Sequence, residues 1–285
     1  MDWLEPAIAA PALRALIYFA TIACAGAILF HLAFPDASRT VRPALRWQIG
    51  IGFALLLLAE PLRYLLFQLE IAGGDLDMAL SPDLRSIYLE TPQGSAALAR
   101  LSGGVIALLF GLRVRLAAFL GAMLMITGYL LEGHSVSHEP RWLLAGLIGL
   151  HLLVLHWWIG SLPPLYALSR HAEPSVISAV TERFGRIATL LVPVMLLAGL
   201  ATLGLLANWD IRPAEAYQQR MALKILLVLG VLAFAAINKI WLTPMLASSP
   251  QEGARYLRGS LALEFAIALS VIIATAWTIS TAPGM

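Results

Sequence analysis

Cysteine is almost missing from this chain. Cys24, inside an apolar run, is the single one in 285 residues, which excludes a disulfide framework and any CxxC or thiolate metal motif. Charge is scarce as well. Only 13% of residues are Asp, Glu, Lys or Arg, where a soluble chain carries about a quarter. The net charge of +2 is spread among loops and gives no basic stripe for nucleic acid. GxSxG, HExxH and a glycine-rich phosphate loop are all absent, so the chain reads as something other than an enzyme. It shows no internal repeat, no low-complexity tract and no soluble segment. The opening MDWLEPAIAAP has Asp2 and Glu5 but no Lys or Arg. A cleavable signal starts basic, so the first apolar run is expected to be a retained helix.

Hydrophobicity is what the chain has instead. Some 60% of residues are apolar and the mean hydropathy is +0.81. The fold class that follows is all-α: a polytopic membrane protein, read as one integral domain over 1–285. A helix needs roughly 20 apolar residues to cross ~30 Å of hydrocarbon. Eight segments qualify, near 12–34, 46–69, 95–112, 115–132, 141–166, 184–207, 220–245 and 257–281. The third and fourth are joined through Leu112, Arg113 and Val114 and should form a tight hairpin. In the longest loop, 70–94, Ser81-Pro82 reads as an N-cap followed by proline in the first turn of a short surface helix at 82–90.

Loop charge alternates along the chain. Arg39, Arg42 and Arg46, then Arg113 and Arg115, then Arg170 and Arg183, then Arg255 fall at one set of turns. Asp2 and Glu5, then Glu70, Asp75, Asp77, Asp83 and Glu90, then Glu132 and Glu139, then Asp210 and Glu215 fall at the other. Basic loops stay inside, so both termini are expected outside, in the periplasm.

Polar groups within the spans cost roughly 2.5–3.5 kcal/mol each, so each needs a partner or a task. His151 lies about ten residues into the fifth helix, ~15 Å deep. His156 is five residues further and projects to a different face. His134 and His138, four apart at the outer mouth, would face one way on a helical turn, as a two-imidazole copper, zinc, iron or nickel site requires. Met123 and Met125 on the fourth helix offer thioethers, which suit Cu(I), though packing is their commoner use. Glu60 and Arg63 can pair on one helix face across Pro61. Lys224 and Asn238, fourteen apart, share a face of the seventh helix. Glu264 needs a partner from another helix, with Asn238 and Lys239 the candidates. These acids, with Lys224 and Asn238, would tune charge or carry a proton. His31 reads as a satisfied interfacial histidine near the inner end of the first helix.

Several ordered blocks resemble a known family. GHS at 133–135, LHLLVLHWWIGSLPPL at 150–165, RFGRIATLLVPVMLLAG at 183–199, MALKILLVLGVLAFAAINKIWLTPML at 221–246 and LRGSLALEFAIALSVIIATAWTISTAPG at 257–284 look like the copper resistance protein D (CopD/PcoD) family. YFATIACAGAILF at 18–30 fits it too. The resemblance implies a multi-pass protein of the bacterial inner membrane that moves copper, with a separate periplasmic copper-binding partner of the CopC type. Its pattern falls on His134, His151, Trp158, Gly160, Lys224, Asn238 and Glu264; His138 and His156 rest on their chemistry alone. No CopC-like domain and no Met- or His-rich tail is seen. A second reading stays open beside copper: a membrane redox protein holding haem b between helices, with axial ligands from His31, His151 and His156.

Overall fold

The computed structural model describes residues 6–132, 140–207 and 216–280. Its elements are helices: α1 (Pro6–Ala33), α2 (Pro35–Thr40), α3 (Arg42–Ile71), α4 (Leu76–Ala79), α5 (Pro82–Glu90), α6 (Pro92–Phe110), α7 (Arg115–Leu130), α8 (Arg141–His171), α9 (Pro174–Ala207), α10 (Ala216–Ile237), α11 (Thr243–Ser248) and α12 (Pro250–Ser280). In hydrocarbon every backbone N–H and C=O must be satisfied within the segment, which leaves the helix as the solution for long apolar runs.

Helix starts follow local chemistry. The expected 82–90 helix is present, and the Leu84 amide donates to Ser81 Oγ at 3.4 Å. The Gly94 amide donates to Thr91 Oγ1 at 3.1 Å and opens α6. The turn between α6 and α7 is as tight as expected: the Arg113 and Val114 amides both return to the Phe110 carbonyl, at 2.9 and 3.0 Å.

Seven of the described helices are long and apolar enough to cross a membrane. The remaining expected span, the fourth at 115–132, forms the 16-residue helix α7 and ends at Leu130. At 1.5 Å per residue it is about 24 Å long, short of the full hydrocarbon thickness.

α1 is the most enclosed of these helices. It packs against α3 and α7 and also against α8 and α12. α6 and α7 form a hairpin that leans on α3, while α9 packs on α8 and α10 on α12. One buried apolar cluster runs through both groups, from Ile17 to Ile272. α1 and α8 touch backbone to backbone at Gly26 and Gly160. A Cβ added to Gly26 would lie 2.4 Å from Gly160 Cα and 2.5 Å from the His156 carbonyl. Small residues let membrane helices touch backbone to backbone, and here no larger residue fits. Gln48 of α3 fastens the crossing, its Nε2 donating to the Gly160 and Ala23 carbonyls at 2.9 and 3.1 Å. α10 is the opposite case, with Val231 its one buried residue among those described. It continues through a π-helical turn, Asn238–Leu242, into α11.

Candidate functional site

The bundle gathers its polar side chains into three groups. The first lies at the end where α3 and α7 finish and α6 begins. Arg100 of α6 is fully buried. Its Nε donates to Glu60 Oε1 at 2.5 Å and its Nη1 to Glu132 Oε1 at 2.8 Å. Arg63 joins them, with Nη2 on Glu132 Oε2 at 3.0 Å and Nε 3.5 Å from Glu60 Oε2. The expected Glu60–Arg63 pair is therefore half of a four-charge network spanning α3, α6 and the residue pair after α7. Two carboxylates balance two guanidinium groups, which is how a buried charge survives low dielectric. Sequence reasoning missed Arg100. Its signal was plain: a charge placed well inside an otherwise apolar span.

The network leads inward. The Arg100 guanidinium lies over the Tyr129 ring, 5.1 Å from its centroid. Tyr129 Oη meets Thr21 Oγ1 at 2.6 Å, and Thr21 Oγ1 meets His156 Nε2 at 3.3 Å. His156 is 1% exposed, and its Nδ1 lies 2.7 Å from the Leu152 carbonyl. A carbonyl only accepts, so Nδ1 carries the proton, and Nε2, left without one, lies against the Thr21 hydroxyl. Both nitrogens of His156 are thus engaged within the protein.

The second group surrounds His151, which faces away from His156 toward α9, as the five-residue spacing requires. Its Nδ1 lies 2.9 Å from the Met195 carbonyl. That hydrogen bond puts the proton on Nδ1 and leaves Nε2 with its lone pair, the arrangement by which metal-binding imidazoles are oriented. Gly199 makes the slot: a Cβ there would lie 2.9 Å from His151 Nδ1. Lys224 of α10 lies within electrostatic range of the imidazole.

In the third group, Asn238 Nδ2 donates to Glu264 Oε2 at 2.7 Å. Of the two expected partners for Glu264, Asn238 is the one the fold supplies. The π turn that begins at Asn238 holds it there, with Thr243 Oγ1 donating to the Asn238 carbonyl at 2.8 Å. The Trp158 indole N–H lies near the same carboxyl, outside hydrogen-bond geometry. Lys239 instead donates to Thr189 Oγ1 on α9.

The remaining candidates are placed separately. His31 Nδ1 lies 2.8 Å from Ser38 Oγ, between α1 and α2. It is ten residues from Thr21, about 15 Å along α1, so His31 and His156 do not face each other across one haem iron. Met125 is fully buried against Gly103 at the α6–α7 crossing, and Met123 packs beside the main cluster. His134 and His138 lie outside the described residues. Among the described residues, no three His, Cys, Asp or Glu side chains come together as a metal site.

Residues 4–142 match the profile of the copper resistance protein D-like N-terminal domain, and residues 178–278 match that of copper resistance protein D. The chain belongs to the copper resistance protein D family. That membership makes it a copper-related, multi-pass membrane protein. No curated protein and no solved structure matches it. In this copper resistance protein D chain, the four-charge network and Tyr129 fall in the N-terminal match, and Met195, Lys224, Asn238 and Glu264 in the C-terminal one. His151, His156 and Trp158 lie between the two matched stretches, on α8, so their resemblance to the family stays a resemblance of the quoted block.

Proposed function

We propose that this chain binds copper at its acidic end and carries it across the bacterial inner membrane, as a carrier and not as an enzyme. The observation that carries the reading is His151: an imidazole within a membrane-spanning helix, oriented through Nδ1 by a backbone carbonyl, with Nε2 left as a ligand. Copper is the cargo, and imidazole is among its ordinary ligands. His134 and His138, four apart and bracketed by Glu132 and Glu139, would receive it first, with Met123 and Met125 as thioether reserves. His156 is a weaker ligand candidate because both its nitrogens already have partners. Glu264, Asn238 and Lys224 would adjust the charge along the route. The chain is read as one integral domain of eight crossings, α7 being the short one, with both termini in the periplasm. A CopC-type protein would deliver or accept the metal there.

The test is copper uptake by the purified protein in liposomes, with an optical spectrum of the same sample. A colourless protein that takes up Cu(I), and a His151→Ala variant that folds but loses uptake at least tenfold, support the reading. Unchanged uptake in His151→Ala removes the site. A Soret band with bound iron replaces copper by haem.

A further inference from the structure

A cleft of about 490 Å³ opens at the basic end, between α3 and α6. Its rim is Arg42, Arg46 and Arg113; its walls are apolar, among them Ile49, Ala107 and Leu109. No carboxylate lines it. Arg39, on neighbouring α2, is instead paired with Asp36 at 3.1 Å on the open surface. Arg42 spends one donor, Nη2, on the Leu112 carbonyl at 3.2 Å, while its Nε is buried with no hydrogen-bond partner. Among the described residues, Arg42, Arg46 and Arg113 have no ion-pair partner.

We propose that this cleft binds an anionic phospholipid. The phosphate would lie among the three guanidinium groups, and the first acyl methylenes along Ile49, Ala107 and Leu109. The placing of the cleft and two chemical rules fit that occupant together. Guanidinium forks match phosphate oxygens. The rim stands at the turn joining α6 to α7, at the end of an apolar helix, and the walls continue into an apolar surface that includes Leu108, Leu109 and Phe110, each about half exposed. Basic pockets between membrane helices are where anionic headgroups bind. A cleft of this volume is also within the range of small-molecule sites. Free inorganic phosphate shares the headgroup chemistry but would leave the apolar walls unused. This inference is independent of the copper reading, since none of these residues touches the histidine groups.

The test uses the full chain in mild detergent, titrated with phosphatidylglycerol or phosphatidylcholine and read by native mass spectrometry. Wild type should hold one phosphatidylglycerol at least tenfold more tightly than phosphatidylcholine. The Arg46→Ala/Arg113→Ala variant should lose most of that preference. Both side chains are exposed, so the fold should survive, and a retained melting temperature checks this. Arg39→Ala, at the same end but outside the cleft, should bind as wild type. Equal binding of the two lipids overturns the proposal, as does an unaffected double variant. So does an Arg39→Ala loss as large as that of the double variant, which would mean diffuse surface charge. Displacement of the lipid by millimolar inorganic phosphate would make the site a phosphate site and not a lipid site.

Discussion

Arg100 shows what a single side chain can commit a bundle to. It is fully buried, touches both Glu60 and Glu132, and covers the Tyr129 ring. Removing one partner of such a pair strands the other charge, which costs about 3–5 kcal/mol. Arg100→Met should therefore lower the apparent melting temperature in detergent by many degrees, and adding Glu60→Gln should restore part of the loss. A double variant no more stable than the single one would mean that Glu60 is not the stranded charge. Glu132, beyond the end of α7, has its own signature. Burial alone would raise its carboxyl, but Arg100 and Arg63 outweigh that and hold it below its ordinary value. A depressed folded-state pKa gives stability above the unfolded value that fades as pH falls toward the folded one. Melting temperature should drop on acidification below the ordinary carboxylate range, and Glu132→Gln should flatten that limb of the curve.

Among the elements, α1 and α8 meet with no room to spare. Gly26→Ala or Gly160→Ala puts a methyl where the partner backbone already is, 2.4 Å away. Overpacking costs about 1–3 kcal/mol even where side chains can shift, and backbone cannot shift without parting the helices. Both variants should lose yield and monodispersity on size-exclusion chromatography. Gly146→Ala is the control, since nothing lies within 4 Å of an added Cβ on the same helix. Much at this scale was legible in the sequence. Apolar length gave seven of the eight expected spans, Ser81-Pro82 gave α5, and the 100° step per residue turned His151 and His156 apart. The i,i+3 spacing gave Glu60–Arg63. Apart from Asn238 as one of two candidates for Glu264, contacts between helices were not legible, because a sequence does not say which helices are neighbours. Thr21 is the clearest case. A threonine in a helix commonly bonds its own turn, and Thr21 does so at Ile17, but the fold also brings it to Tyr129 and His156. The π turn was equally hidden, since nothing in NKIWL distinguishes it from ordinary helix.

For the whole molecule the open quantity is the number of crossings. The proposed eight place the arginine-rich turns on one side and both termini on the other; seven would split the termini. Single cysteines introduced near Arg39 and Gln251 into a Cys24→Ala background should be labelled from the cytoplasmic side only. One near Asp75 should be labelled from the periplasm. Labelling of the first two from opposite sides would remove one crossing, with α7 the first suspect.

The Gly26–Gly160 contact also bears on how such a molecule could move. Two backbones in direct contact, clamped by Gln48, have no side chains between them to slide or repack. In the carrier proposed above, that crossing would be the stator. Carrying cargo from one face to the other needs a part that rocks, and that part must be sought among helices held less closely. α10, with one buried residue among those described, and the π turn at its end are the natural rotor.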